Sequence, residues 1–228
     1  MRRYDFIFSI GQACSCTENL RKARLQVFSY PFDWLYGTDL ENRVKLLTSG
    51  FKNWFNEVDF SFVEDKPGAR FHVYKNRKTG LIFNHDFPRE EDFKTGYGTV
   101  SEKYGRRVAR LLNKIETSRK VLAVYIEQPY TEDFIPDAKL IELQRQLAEK
   151  FGAGAIDLLY VHKGRSRQAE WRDVTDGVMI LALDYRSTDP NAFDYQVNRK
   201  CLSGALKKKI GLTLCSRVYW IWHQLMKG

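Results

Sequence analysis

The run Val121-Leu122-Ala123-Val124-Tyr125-Ile126 constrains the fold more than any other segment, because it is apolar at every position. A strand with one wet face alternates between apolar and polar residues, whereas a strand covered on both faces does not. Downstream, Leu140, Leu143, Leu147 and Phe151 recur at helical spacing, and Gly152 ends that helix. Two more apolar runs follow, at residues 155–161 and 178–183. Strand, helix and strand with continuous apolar strands predict the α/β class: a central, largely parallel sheet covered by helices. A length of 228 residues with 43% hydrophobic residues fills one such core. No linker, repeat or low-complexity tract divides the chain, so residues 1–228 read as a single domain.

The N-terminal half supplies the chemistry. Residues 4–10 read as a buried strand ended by Gly11, and a helix starts near Ala13. Ala13, Cys16, Leu20, Ala23 and Val27 form its apolar stripe at steps of three and four. Cys14 lies two residues from Cys16, about 200° around the helix, and points off that stripe. A thiol in the first helical turn sees unpaired N–H groups and the positive end of the dipole, both of which favour thiolate. Cys16 reads as structural and Cys14 as an available nucleophile. Beyond them come a turn holding Pro31, Asp33 and Trp34, a helix over 39–56 and strands within 60–83. A loop is expected over 88–98, a helix through Tyr104, Val108, Leu111 and Ile115, and a last helix over 211–226.

His85 in Asn84-His85-Asp86-Phe87 follows a strand-like run, and a histidine at a strand end suits a general base for a thiol. Asp86, Asp184 and Asp33 are the candidate orienting acids. Asp86 adjoins His85 but points to the other face of an extended segment, Asp184 ends the strand at 178–183, and Asp33 sits in the proline turn. Arg106 and Arg110, four apart on one helix face with Arg107 beside them, could clamp a carboxylate or phosphate. Gly11 and Trp34 complete the candidate substrate contacts.

Composition narrows the partners. The net charge of +9 is scattered along the chain, without zinc-finger spacing, a basic heptad region or an RNA-binding signature. An anionic or acyl-bearing substrate fits this charge better than nucleic acid. Cysteines at 14, 16, 201 and 215 lack metal-ligand spacing, and neither a dinucleotide fingerprint nor a Walker lysine occurs, so no cofactor is expected. No run spans a bilayer and no signal region precedes the first strand, which points to a cytoplasmic protein with reduced thiols.

The segments Ser9-Ile10-Gly11-Gln12-Ala13-Cys14, Leu20-Arg21, Pro31-Phe32-Asp33-Trp34, His85-Asp86-Phe87 and Tyr104 with Arg106-Arg107 occur in that order. In this combination the first 110 residues or so resemble a bacterial family described as papain-like cysteine peptidases. The resemblance implies Cys14 as nucleophile, His85 as its base, and an α+β papain-like fold as the alternative to the parallel sheet. Its chemistry covers a peptidase, an amidase or an acyl transferase, since a thioester can pass its acyl group to several acceptors. The alternative function is a non-peptidase protein of surface-polysaccharide biosynthesis, holding an anionic sugar through its arginines.

Overall fold

Five strands form the central sheet, in the spatial order β2 (Phe6–Ser9), β7 (Val121–Ile126), β8 (Ile156–Lys163), β10 (Val178–Leu183) and β9 (Glu170–Thr175). The first four run parallel, with Phe6 opposite Val121, Val121 opposite Ile156 and Val178 opposite Leu158. β9 adds an antiparallel edge. The molecule is thus a mixed α/β protein with a mostly parallel sheet, as the apolar runs require. The computed structural model describes residues 1–64, 68–128, 134–152, 156–186 and 199–226.

Two apolar layers follow from side chains alternating along the strands. On one face Ile7, Leu122, Val124, Leu159 and Leu181 pack with Cys16 and Leu20 of α1 (Cys14–Lys22) and with Leu202 and Leu206 of α5 (Arg199–Lys209). On the other, Phe8, Ala123, Leu158 and Ile180 meet three further helices. Val44 and Leu47 come from α2 (Leu40–Thr48), Leu111 and Ile115 from α3 (Phe93–Glu116), and Leu140, Leu143 and Leu147 from α4 (Asp137–Phe151). Burial of each of those three leucines is worth roughly 1.5–3 kcal/mol, so the α4 spacing alone fixes which face meets the sheet.

A second, antiparallel sheet carries β3 (Leu35–Tyr36), β6 (Ile82–Pro88), β5 (Phe71–Asn76) and β4 (Phe60–Glu64) in that order. Its aromatic side, with Phe60, Phe83 and Phe87, closes on Phe55 and on Tyr104 of α3. β1 (Arg2–Tyr4) pairs in parallel with β11 (Ile210–Leu212), and α6 (Leu214–Leu225) follows. Among the described residues no helix is long and apolar enough to cross a membrane.

Several expected boundaries are corrected. α1 stops at Lys22 and Arg24 is left-handed (φ 60), so Val27 falls outside the helical stripe. The helix expected over 39–56 ends at Thr48, because Gly50, Phe51 and Asn53 all take positive φ. Phe51 and Trp54 are nevertheless buried, each packed edge-on against the other's ring. The loop expected over 88–98 is mostly ordered: β6 reaches Pro88, and α3 starts at Phe93 with Asp92 accepting from the Thr95 N–H at 2.9 Å. Gly96 and Gly98 lie inside that helix, which is why the stretch reads as a loop. The last helix begins at Leu214, because residues 210–212 are taken into a strand. The expected strand at 155–161 begins at Ile156, residue 155 lying outside the described residues.

Candidate active site

Cys14 is the first residue of α1 and sits beyond the C-terminal end of β2, the side of an open α/β sheet where functional groups collect. The connection is short because the ladder to β7 continues past the strand: Ile10 N–H donates to Val124 O at 2.9 Å and Gln12 N–H to Ile126 O at 3.2 Å. Gln128 clasps the same turn. Its N–H donates to Gln12 Oε1 at 2.8 Å and its Nε2 to Ser15 Oγ at 3.2 Å. From below, the fully buried Arg43 guanidinium donates to Gln12 O at 3.3 Å and to Gly37 O at 2.8 Å. Burial pushes the Arg43 pKa down to about 10, which still leaves a cation at neutral pH.

The two cysteines of α1 are treated in opposite ways. Cys16 is sealed from solvent, its thiol donates to Val124 O at 3.3 Å, and burial pushes its pKa up to about 12. Cys14 is only half-buried. Gly11 explains the tight approach, since a Cβ there would stand 2.2 Å from Cys16 Cβ. Its lack of a side chain therefore serves the seating of α1.

β2 is an edge strand, and its outer side is covered by the segment that follows α1. Ser9 N–H donates to Gln26 Oε1 at 3.2 Å, replacing a strand partner. Gln26 Nε2 in turn donates to Thr17 Oγ1 at 2.8 Å and to Asp33 Oδ2 at 2.6 Å. Asp33 Oδ2 also accepts from the Tyr30 N–H at 2.9 Å. Asp33 is fully buried, and that desolvation pushes its pKa up to about 7. Trp34 donates through Nε1 to Ser29 Oγ at 3.2 Å, and the Arg21 guanidinium lies 5.5 Å over its ring.

Arg106, Arg107 and Arg110 converge with Lys103 and Arg21 on one cavity of about 330 Å³, walled also by Val27, Phe28 and Ser29. Lys103 had no signal of its own in the sequence, and Arg21 entered only as part of the family motif, without a role. They join because α1 and α3 pack on either side of the residue 27–29 segment. Arg21 Nη2 donates to Ser29 Oγ at 2.8 Å and Arg110 Nη1 to Ser29 O at 3.0 Å. The Arg107 guanidinium lies 5.0 Å over the Tyr104 ring.

His85 lies within β6, not at a strand end as expected, and is exposed with its ring edge-on to Phe71. Register explains its direction. His72 pairs with Phe87 while Tyr74 pairs with Phe83, so two steps of β5 oppose four of β6. This bulge breaks the alternation and turns Asp86 and Phe87 inward together. Asp86 therefore faces away from His85: it accepts from Tyr104 Oη at 2.9 Å and pairs with Lys103 Nζ at 2.6 Å. Burial and the Asp86 carboxylate raise the Tyr104 pKa well above its ordinary value, which keeps that phenol a donor. Asp184 lies just past β10, three strand positions or roughly 14 Å from β2, and its carboxylate is held by Arg186.

Residues 5–157 match the family described as "Putative papain-like cysteine peptidase (DUF1796)". The chain belongs to this family. The match runs from β2 through the Cys14 helix, the Asp33 turn, β6, α3 and β7 into the first residues of β8. It therefore extends past the first 110 residues that carry the recognisable motifs. The chain is also 26% identical over 172 residues to an uncharacterised protein, R408, of Acanthamoeba polyphaga mimivirus, covering 68% of this chain and 70% of that protein. That relative is viral, so the expectation of a bacterial family gains no support from it. No solved structure matches the chain.

Proposed function

We propose that the protein is a thiol-dependent amide hydrolase with Cys14 as nucleophile and His85 as its base. The observation that carries this reading is the contrast within α1: a half-buried thiol opens the helix, while a second thiol two residues on is sealed and held protonated. Family membership supports the cysteine chemistry, and its peptidase description favours hydrolysis over acyl transfer. The surface-polysaccharide alternative finds no support in it.

In this reading His85 takes the thiol proton and the thiolate adds to the amide carbonyl. N–H groups at the start of α1 hold the oxyanion. The C–N bond then breaks, the amine leaves with the proton from His85, and water cleaves the thioester to regenerate the thiol. The reaction needs the His85 ring to reach Cys14 when substrate is bound.

The test is a pH titration of iodoacetamide labelling, read peptide by peptide, with a free cysteine derivative as the reference and the exposed Cys215, itself in the first turn of α6, followed alongside. Cys14 is expected to label with a midpoint at least about one pH unit below that of an ordinary thiol near 8.5. His85→Ala should move that midpoint upward and leave Cys215 unchanged. A Cys14 midpoint at or above about 8.5 would sink the proposal.

A further inference from the structure

We infer that the cavity between α1 and α3 binds the phosphate group of a phosphorylated acyl substrate, an assignment that rests on Cys14 as the reacting thiol. Five cationic side chains, Arg21, Lys103, Arg106, Arg107 and Arg110, line it. Lys103 is paired with Asp86, and Arg106 reaches Glu102 at 3.6 Å. Arg21, Arg107 and Arg110 form no ion pair among the described residues. Arg21 Nε and Arg107 Nη1 are buried without a hydrogen-bond partner. Unpaired buried guanidinium N–H groups are costly, and the two side chains that carry them line the same cavity from two helices.

The geometry selects the anion. A carboxylate carries one charge in one plane and is filled by a single arginine fork, whereas a phosphate carries nearly two charges and presents three oxygens in different directions. Three guanidiniums without an ion-pair partner among the described residues, arriving from α1 and α3, suit the second. Nucleic acid fits less well, because the rings near the cavity already stack on guanidiniums. Arg110 lies 5.2 Å over Phe28 and Arg21 lies 5.5 Å over Trp34, so each ring already has a cation where a base would stack.

α1 also sets the spacing. Cys14 and Arg21 stand at i and i+7, on one helix face, with the fully buried Thr17 between them under Gln26. Arg21 is therefore about 10 Å along the axis from Cys14. A substrate joining the two sites passes around the Gln26 segment that covers Thr17, so a phosphate held there lies at least about three extended residues from a carbonyl at the thiol. Substrates of this class carry the phosphate and the scissile acyl group on one molecule at that separation.

The test uses the full chain carrying Cys14→Ala, so that binding is read without thiol chemistry. Thermal unfolding in sodium phosphate is compared with sodium chloride at matched ionic strength. A saturable rise is expected, about 3–6 °C at ten times Kd. Adding Arg107→Gln should weaken phosphate at least five-fold, and so should adding the exposed Arg106→Gln, whose folding is not in question. Lys150→Gln on α4 should change nothing. Two peptides that differ only in phosphorylation of a serine three residues from the scissile amide complete the experiment, and only the phosphorylated one should bind. Equal unfolding temperatures in the two salts, undiminished binding by the arginine variants, or equal binding of the two peptides would each overturn the assignment. Failure of the thiol mechanism would instead show in the Cys14 labelling titration and leave these results untouched.

Discussion

Gly11→Ala is expected to destabilise the protein by at least about 3 kcal/mol, the upper part of the range for overpacking a core. The new methyl carbon would lie 2.2 Å from Cys16 Cβ, 2.7 Å from Cys16 Sγ and 3.4 Å from Ile126 N. None of these can yield cheaply. Cys16 is fully buried with its thiol on Val124 O, and Ile126 belongs to β7. Shortening the side chain to alanine would not help, because the closest clash is with the β-carbon itself. Cys16→Gly would help, at a cost of its own: about 1 kcal/mol for glycine in a helix, and the loss of a fully buried side chain besides. In that background Gly11→Ala should cost much less, so urea denaturation of the two single variants and the double variant should reveal a coupling of 1 kcal/mol or more. Strictly additive losses would show that α1 does not bear on Gly11. The same displacement should slow Cys14 labelling, since Cys14 is anchored through the turn that Gly11 and Gln12 form against β7.

What the sequence made legible depended on whether local pattern and tertiary need agreed. The runs at 121–126 and 178–183 are apolar on both faces and became sheet strands. The opposite fates of Cys14 and Cys16 followed from helical phase alone. Elsewhere the local pattern was overridden. Gly96 and Gly98 weaken helix propensity, yet the Asp92 cap and burial of Val100, Tyr104 and Leu111 hold α3 together. Plain alternation would put His85 on the same side of β6 as Phe83 and Phe87, and only the bulge against β5 exchanges it with Asp86. β1 and β11, three residues each, are too short to carry a period and pair across nearly the whole chain. The roles of Arg21 and Arg43 were illegible for another reason, although Arg21 belongs to a motif segment. Their roles come from which helices pack together, and nothing in the spacing of either residue records that.

Asp33 provides the second large effect, and its sign is opposite to that of an ordinary carboxylate. Burial pushes its pKa up to about 7, while the Tyr30 N–H, Thr17, Arg21 and Arg107 pull it down. In the unfolded chain an aspartate titrates near 3.9, an approximate reference value. Between roughly pH 4 and 7 the folded protein therefore holds a proton that the unfolded chain has released. Stability falls as pH rises through that window, by about 1.4 kcal/mol per unit and on the order of 4 kcal/mol in all, and is then level above it. Asp33→Asn retains an oxygen for the Tyr30 N–H and Gln26 Nε2 but does not titrate. Any cost of seating its amide nitrogen is the same at every pH. Glu41 and Glu142, whose salt-bridge and amide partners hold their pKa values at about 2, titrate alike in both proteins and cancel in the difference. Urea denaturation from pH 4 to 8 should thus show the variant gaining on the parent across the window, then running parallel to it. A difference that stays constant with pH would place the Asp33 carboxylate in contact with water. The consequence reaches the basic cavity, because Arg21 and Arg107 are the cations that act on Asp33. An anion bound by those two arginines should raise the Asp33 pKa further, so the downward slope of stability should continue to higher pH in phosphate than in chloride.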